Sequence, residues 1–342
     1  MERKLATIRK IQDIQPIEGA DAIELAIVDG WKVVVAKNVE YKVGDTVVYC
    51  EIDSFLPIQE EFEFLRKSSY KKMGDQEGFR LRTIKLRGQV SQGLIIPISV
   101  VPITQFATAS TLPEGMDVTE MLGIVKYEPP IPAELSGKVK GSFPSFLRKT
   151  DEERVQNLSR EYDEYKNRYK NQFYVTEKLD GSSATFYYNN GVFGVCSRNL
   201  ELLETEGNTF WKVAREMDLE NKLKNYGKNL SLQGELIGEG IQGNPYKIKG
   251  QKVMFFNVFD IDEQERMSLG GFIKVIDDLN LEFVPFVELN FELPKNIDDL
   301  LKYAEGNSKL NYNTEREGIV IRSINTKISF KVISNKFLLQ EK

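Results

Sequence analysis

Five strand-like runs in the second half of the chain limit what it can fold into: Phe173 to Lys178, Ser183 to Tyr188, Val192 to Ser197, Val253 to Ile261 and Gly318 to Ser323. They are short and rich in β-branched and aromatic residues, with turns or helical stretches (around Trp211 to Tyr226 and Ile297 to Glu305) between them. A doubly wound parallel sheet needs a regular strand–helix alternation, which this spacing lacks. The expectation for 151–342 is an α+β domain of antiparallel sheets with flanking helices. Thr150 or Asp151 would N-cap its first helix, with Glu152 and Glu153 in the opening turn.

Residues 1–125 read as strands of a separate domain, and a chain of 342 residues suits two domains. Ile23 to Val28 and Trp31 to Ala36 flank Asp29-Gly30, a two-residue hairpin signal in which both turn positions favour positive φ. Lys42 to Thr46 is a second turn, leading into Val47 to Ile52. A further pair is expected from Arg80 to Leu86 and Gly93 to Pro97, joined through Gly88. Several short strands of this kind predict a small antiparallel β-barrel of the OB-fold type. Between the domains, 126–150 reads as a linker, punctuated by Pro129, Pro130, Pro132, Gly137, Gly141 and Pro144.

Composition removes several chemistries. Histidine is absent, which excludes Ser-His-Asp triads and imidazole zinc sites; Cys50 and Cys196 alone cannot build a thiolate cluster. Two cysteines fit a reducing, cytoplasmic setting, and the start Met1-Glu2-Arg3-Lys4-Leu5 lacks a signal-peptide apolar core. The longest apolar stretch, Gly93 to Ile103, is short and interrupted by Pro97 and Pro102, so no membrane span is expected.

Lys178 lies where its strand passes into the turn Leu179-Asp180-Gly181. An amine there becomes a nucleophile once desolvation or neighbouring cations lower its pKa, and glycine lets a phosphate approach closely. Attack on the α-phosphorus of a nucleotide would leave a phosphoramidate. Leaving pyrophosphate calls for a metal, and without His or thiolate sites that metal must be hard and oxygen-bound. The expectation is Mg²⁺ (or Mn²⁺), held largely through water by Asp180, Glu235 and Glu317. Strict alternation would put Phe256, Val258 and Asp260 on one strand face, where an aromatic could stack on a purine. The amine of Lys331 would point away from Phe330 and Val332. Taken singly, each residue has a plain reading as core or surface; their order along the chain argues for a site.

With those elements in hand, the chain resembles the covalent nucleotidyltransferases, the superfamily of ATP-dependent DNA and RNA ligases and capping enzymes. It is most similar to the nick-sealing RNA ligases with an amino-terminal OB domain, the fifth RNA ligase family. The resemblance implies that Lys178, in Glu177-Lys178-Leu179-Asp180-Gly181, is the adenylated motif I lysine. It implies that Arg198 serves the ribose and RNA end, Glu235 the ribose, Phe256 the adenine face, Glu317 the metal's waters and Lys331 the α-phosphate. Glu177, Asp180 and Gly181 would line the nucleotide, and Arg154 would orient the pyrophosphate. One position departs from the pattern: Ile333 stands where many relatives carry a second motif V lysine. Either Lys336 or Lys327 compensates, or the enzyme does without.

Only eleven residues follow Lys331, too few for the carboxy-terminal OB domain of DNA ligases and capping enzymes. The amino-terminal domain instead carries a basic segment: Arg66, Lys67, Lys71, Lys72, Arg80, Arg82, Lys85 and Arg87 against Asp75 and Glu77, in a chain of net charge −5. Such a segment suits a phosphate backbone, with a solvated loop as the plain reading. The resemblance implies ATP-dependent joining of RNA 3′-hydroxyl and 5′-phosphate ends, at nicks in duplexes, by a monomer that needs no membrane. The alternatives are a DNA ligase, a capping-type guanylyltransferase, or a nucleic-acid-binding protein with an inactive nucleotidyl domain.

Overall fold

A computed structural model of the chain describes residues 3–102, 112–128 and 138–340. Ile103 and the linker residues Pro129, Pro130, Pro132 and Gly137 lie outside them. The chain divides into two compact units, one of 1–130, 155–163 and 338–342, the other of 131–154 and 164–337. Among the described residues no helix is long and apolar enough to cross a membrane. Both cysteines are free and buried.

The first unit holds short antiparallel sheets. Thr46–Cys50 is the centre of one, between Ala6–Lys10 and Leu94–Pro97; Asp13–Pro16, Ile23–Val28 and Trp31–Ala36 form another. A third runs Val125–Lys126, Ser54–Pro57, Gln76–Arg80, Tyr70–Met73. The described strands form separate sheets with no closed barrel. Ile8, Val48, Leu56, Phe62, Phe79 and Val118 share one fully buried core, and each such side chain contributes about 1.5–3 kcal/mol by leaving water.

Two turns differ from expectation. At Asp29-Gly30 only Asp29 is left-handed, with φ 50°. Gly30 is required by crowding, because a Cβ there would sit 2.7 Å from Gln156 Cα. Arg80 to Leu86 does not pair with Gly93 to Pro97. Ile84–Leu86 folds back on Gln89–Ser91 through Arg87 (φ 46°) and Gly88 (φ 83°), while Leu94–Pro97 joins Thr46–Cys50. Two adjacent positive-φ residues suit the two-residue turn of this tighter hairpin.

The second unit is built on two sheets. The seven-stranded sheet is ordered Val139–Ser142, Leu200–Leu202, Val192–Cys196, Ser182–Asn189, Leu230–Gly238, Gln251–Asp260, Glu265–Arg266. The five-stranded sheet is ordered Glu153–Arg154, Ser329–Ile333, Gly318–Ser323, Phe173–Lys178, Phe286–Phe291. Among the described residues the strands of these sheets pair antiparallel except Glu153–Arg154 with Phe330 and Lys331, and an isolated parallel bridge joins Phe255 to Phe283. Helices Thr209–Glu216, Leu219–Tyr226 and Leu269–Asp278 cover one face of the larger sheet, where Phe186, Leu236, Phe255 and Val258 meet Val213, Leu223 and Ile276. The first two replace the single helix expected over Trp211 to Tyr226: Asp218, with φ 53°, breaks the run.

Two further expectations are corrected. Residues 138–150, read as linker, include the edge strand Val139–Ser142. No helix starts at Thr150 or Asp151. Glu153–Arg154 is extended against Ser329–Ile333, and the Glu152 carboxylate is taken by Arg322 at 2.9 Å rather than left to a helix N-terminus.

Candidate active site

Strand register decides which side chains meet. Thr176 pairs with Val320, Val320 with Lys331 and Lys331 with Arg154, so all four share one face of the five-stranded sheet. Lys178, two residues beyond Thr176, projects from that same face. Glu177 points to the other. On the larger sheet Glu235 pairs with Met254, placing both on the face opposite the helix-covered core.

Lys178 Nζ lies 2.7 Å from both carboxylate oxygens of Glu317, the last residue before the Gly318–Ser323 strand. Burial pulls the lysine pKa down, but the charges of Glu317, Glu235 and Asp180 outweigh it and hold the pKa above its ordinary value. A lowered pKa was the expectation. Three carboxylates from separate elements reverse its sign. Glu235 answers to the same field. Burial first, then Glu317 and Asp180, push its carboxyl up to about 8 against the pull of Lys178 and Arg198. Glu235 is thus within electrostatic reach of Lys178, Glu317, Asp180 and Arg198, and Lys178 of the three carboxylates. Arg198 itself is half-exposed and ion-paired to Asp151 at 2.5 Å.

A divalent cation suits this donor set. Burial, with Glu317 and Asp180 adding to it, disfavours the charged form of Glu235, and a cation near these three carboxylates would offset that. Among the described residues no group of three or more His, Cys, Asp or Glu side chains is arranged to hold a metal ion.

Phe256 departs from strict alternation. The register between Leu230–Gly238 and Gln251–Asp260 shifts at Gln233/Gly234, so that Gln233 faces Asn257 while Gly234 faces Phe255. This β-bulge sends Val258 to the helix-covered core with Phe255, so Val258 and Phe256 do not share a face. Phe256 packs instead with Leu179, Ile237, Tyr246 and Met254, beside the Lys178 turn. Arg322 lies 5.7 Å from its ring centre and donates to its backbone carbonyl at 3.1 Å.

Glu177 is 1% exposed and accepts from the Lys309 backbone at 2.8 Å. Burial raises its pKa despite Ser308, Lys309 and Arg316. It therefore stands behind the sheet, apart from the carboxylates around Lys178. Gly181 is needed for close packing: a Cβ there would lie 2.5 Å from the Leu236 carbonyl and 2.8 Å from Glu235 Cγ.

A family model described as RNA ligase matches residues 171–333, and one described as an OB-fold domain matches residues 5–98. No curated protein matches the chain. Among solved structures, the Naegleria gruberi RNA ligase with PPi is 44% identical at TM-score 0.89, covering 98% of each chain. A mutant of that ligase with ATP and Mn is 44% identical at TM-score 0.89, covering 99% of each chain. A lysine-to-methionine mutant with AMP and Mn is 44% identical at TM-score 0.90, again covering 99% of each chain. The chain belongs to the RNA ligase family. Its fold is accordingly α+β, with an amino-terminal OB-type domain ahead of a ligase domain of antiparallel sheets and helices.

Two residues to which the sequence assigned no role lie beside the Lys178 turn and Phe256 in the ligase. Tyr246 is buried, and its hydroxyl accepts from the Asp180 backbone N–H at 2.6 Å, pinning the turn that follows Lys178. A tyrosine in an irregular Gly/Pro/Lys-rich stretch carries no sequence signal for this. Arg322 does carry one, since a cation in the strand Gly318–Ser323, buried at every position, needs a partner. As for motif V, Lys327 pairs with Glu265 and Lys336 with Glu305, so each already has a carboxylate partner.

Proposed function

We propose that this ligase joins RNA ends in three steps using ATP, with Lys178 as the nucleophile. The Lys178 amine forms a bond to the α-phosphorus of ATP, the bond to pyrophosphate breaks, and AMP is left on the lysine. AMP then passes to an RNA 5′-phosphate. A 3′-hydroxyl attacks the activated phosphate and expels AMP. The observation that carries this reading is the placement of Lys178 at a strand end, facing Glu235 and Asp180 and ion-paired with Glu317.

Attack requires the free amine, so the hold of these carboxylates on the ammonium has to be offset by cationic charge arriving with the nucleotide. Mg²⁺ or Mn²⁺, held through water by Glu317, Glu235 and Asp180, would neutralise phosphate charge there. Lys331 and Arg154 would meet the phosphates, a role supported by their register on the Lys178 face. Phe256 offers its ring as the adenine platform, and Arg198 serves the ribose and the RNA end. A nicked duplex with RNA on the 3′-hydroxyl side is the substrate this reading favours, and a monomer suffices for it.

The test is transfer of label from α-labelled ATP to denatured protein in the presence of Mg²⁺. Wild type takes up label and Lys178→Ala does not; label on the variant, or on a different lysine, refutes the mechanism. Nicked duplexes that differ only in the sugar at the 3′ end then separate RNA from DNA joining, and competition by GTP tests the capping alternative.

A further inference from the structure

The basic segment of the amino-terminal unit is not uniform. Arg66 is tied to Glu63 at 2.6 Å, Lys72 to Glu77 at 2.8 Å and Arg80 to Asp53 at 3.4 Å, with Arg80 also 4.6 Å above the Tyr127 ring. Each of these three already has a carboxylate partner. Lys85 and Arg87 form no ion pair among the described residues, and both are exposed on the hairpin Ile84–Leu86/Gln89–Ser91.

The base of this hairpin is fixed and its tip is free. Ser91 accepts from the Val34 N–H at 2.9 Å, Gln92 N donates to Lys32 O at 2.8 Å, and the Gln92 amide donates to Thr83 at 3.2 Å. Beyond that anchor, Ile84 is 43% and Leu86 38% exposed. They share one face of the ribbon, with Lys85 on the other and Arg87 at the turn. Exposed aliphatics on a ribbon anchored at its base, beside cations that form no ion pair, fit a polyanion that also offers apolar edges. In an RNA duplex the wide, shallow groove presents ribose edges beside its phosphate rims.

We propose that the Ile84–Ser91 hairpin is a duplex-RNA contact of this ligase, with Lys85 and Arg87 on phosphates and Ile84 and Leu86 against ribose edges. The proposal rests on the RNA-joining reading for the identity of its ligand. It deepens that reading by assigning the contact to four residues of the eight-cation segment and its apolar neighbours.

The experiment is binding of a nicked RNA duplex, followed by fluorescence anisotropy over a salt series without ATP or divalent metal. The Lys85→Ala/Arg87→Ala pair is expected to weaken binding and to lower the slope of log affinity against log salt by about two, one per lost phosphate contact. The Ile84→Ser/Leu86→Ser pair is expected to weaken binding several-fold with the slope unchanged. Unfolding midpoints equal to wild type establish that the ribbon is intact; if the serine pair unfolds, Leu86→Thr, which keeps a strand-favouring residue, takes its place. Wild-type affinity and slope in both pairs overturn the proposal. So does an aliphatic variant that alters only self-association in sedimentation, which would make the tip a contact between protein copies. Failure of wild type to take label from ATP would refute the lysine chemistry and leave this binding result standing by itself.

Discussion

Lys178 Nζ sits 2.7 Å from both carboxylate oxygens of Glu317, so the amine proposed to attack a phosphate is held in this structure as an ammonium. The lysine pKa stands above its ordinary 10.5. Its share of folding stability is therefore complete below 10.5 and lost as pH climbs through the higher folded value. Glu317→Gln removes the closest charge and leaves burial less opposed, so the lysine should titrate at lower pH than in wild type. An NMR titration of isotope-labelled lysine in the metal-free protein measures this; an unchanged or higher value in the variant sinks the ion-pair account.

The Tyr246 hydroxyl is the acceptor for the Asp180 backbone N–H. Tyr246→Phe keeps the ring and leaves that N–H unsatisfied, at a cost of about 1–3 kcal/mol. The urea midpoint should fall accordingly, and the rate of label uptake from ATP should drop more than ATP affinity does. Equal loss in both would mean that the hydroxyl merely supports the pocket.

Gly181→Ala forces a Cβ to within 2.5 Å of the Leu236 carbonyl, and overpacking of this kind costs about 1–3 kcal/mol. Thermal unfolding and label uptake should both suffer. Gly141→Ala, where nothing lies within 4 Å, is the matched control and should stay within about 0.5 kcal/mol.

Acid sensitivity should trace to Glu152. Burial works against its charge, but Arg322 and Arg266 hold its pKa below the ordinary 4.5. A depressed carboxylate contributes stability that is complete above pH 4.5 and disappears as pH falls through the lower folded value. Wild type should therefore lose melting temperature below pH 4.5 more steeply than Glu152→Gln. Parallel curves for the two proteins would show that the pair with Arg322 carries no such linkage.

What the sequence reveals and what it conceals follow from how local each feature is. The strands Ile23–Val28, Trp31–Ala36, Phe173–Lys178 and Gly318–Ser323 are legible because alternation and turn residues specify them within a few positions. The placement of Phe256 is not legible, because its bulge depends on pairing with a strand some twenty residues upstream and on Arg322 at its carbonyl. The absent helix at Thr150 has the same origin: its capping acids look local, yet Glu152 finds a partner 170 residues away. The sign of the Lys178 shift depends on a sum of charges from three separate elements, which spacing along one strand cannot supply.

The return of residues 155–163 to the first compact unit has a consequence for how such enzymes can be taken apart. Trp31 Nε1 donates to Asn157 at 2.6 Å, Asn157 donates to Glu51 at 2.5 Å, and Gly30 leaves room for Gln156. Without 155–163 the buried Trp31 indole N–H loses its acceptor, while Glu51 keeps its ion pair with Arg3 at 2.8 Å. A fragment that stops before 131 therefore lacks part of the first unit's own packing, and producing that unit alone calls for 155–163 to be supplied with it.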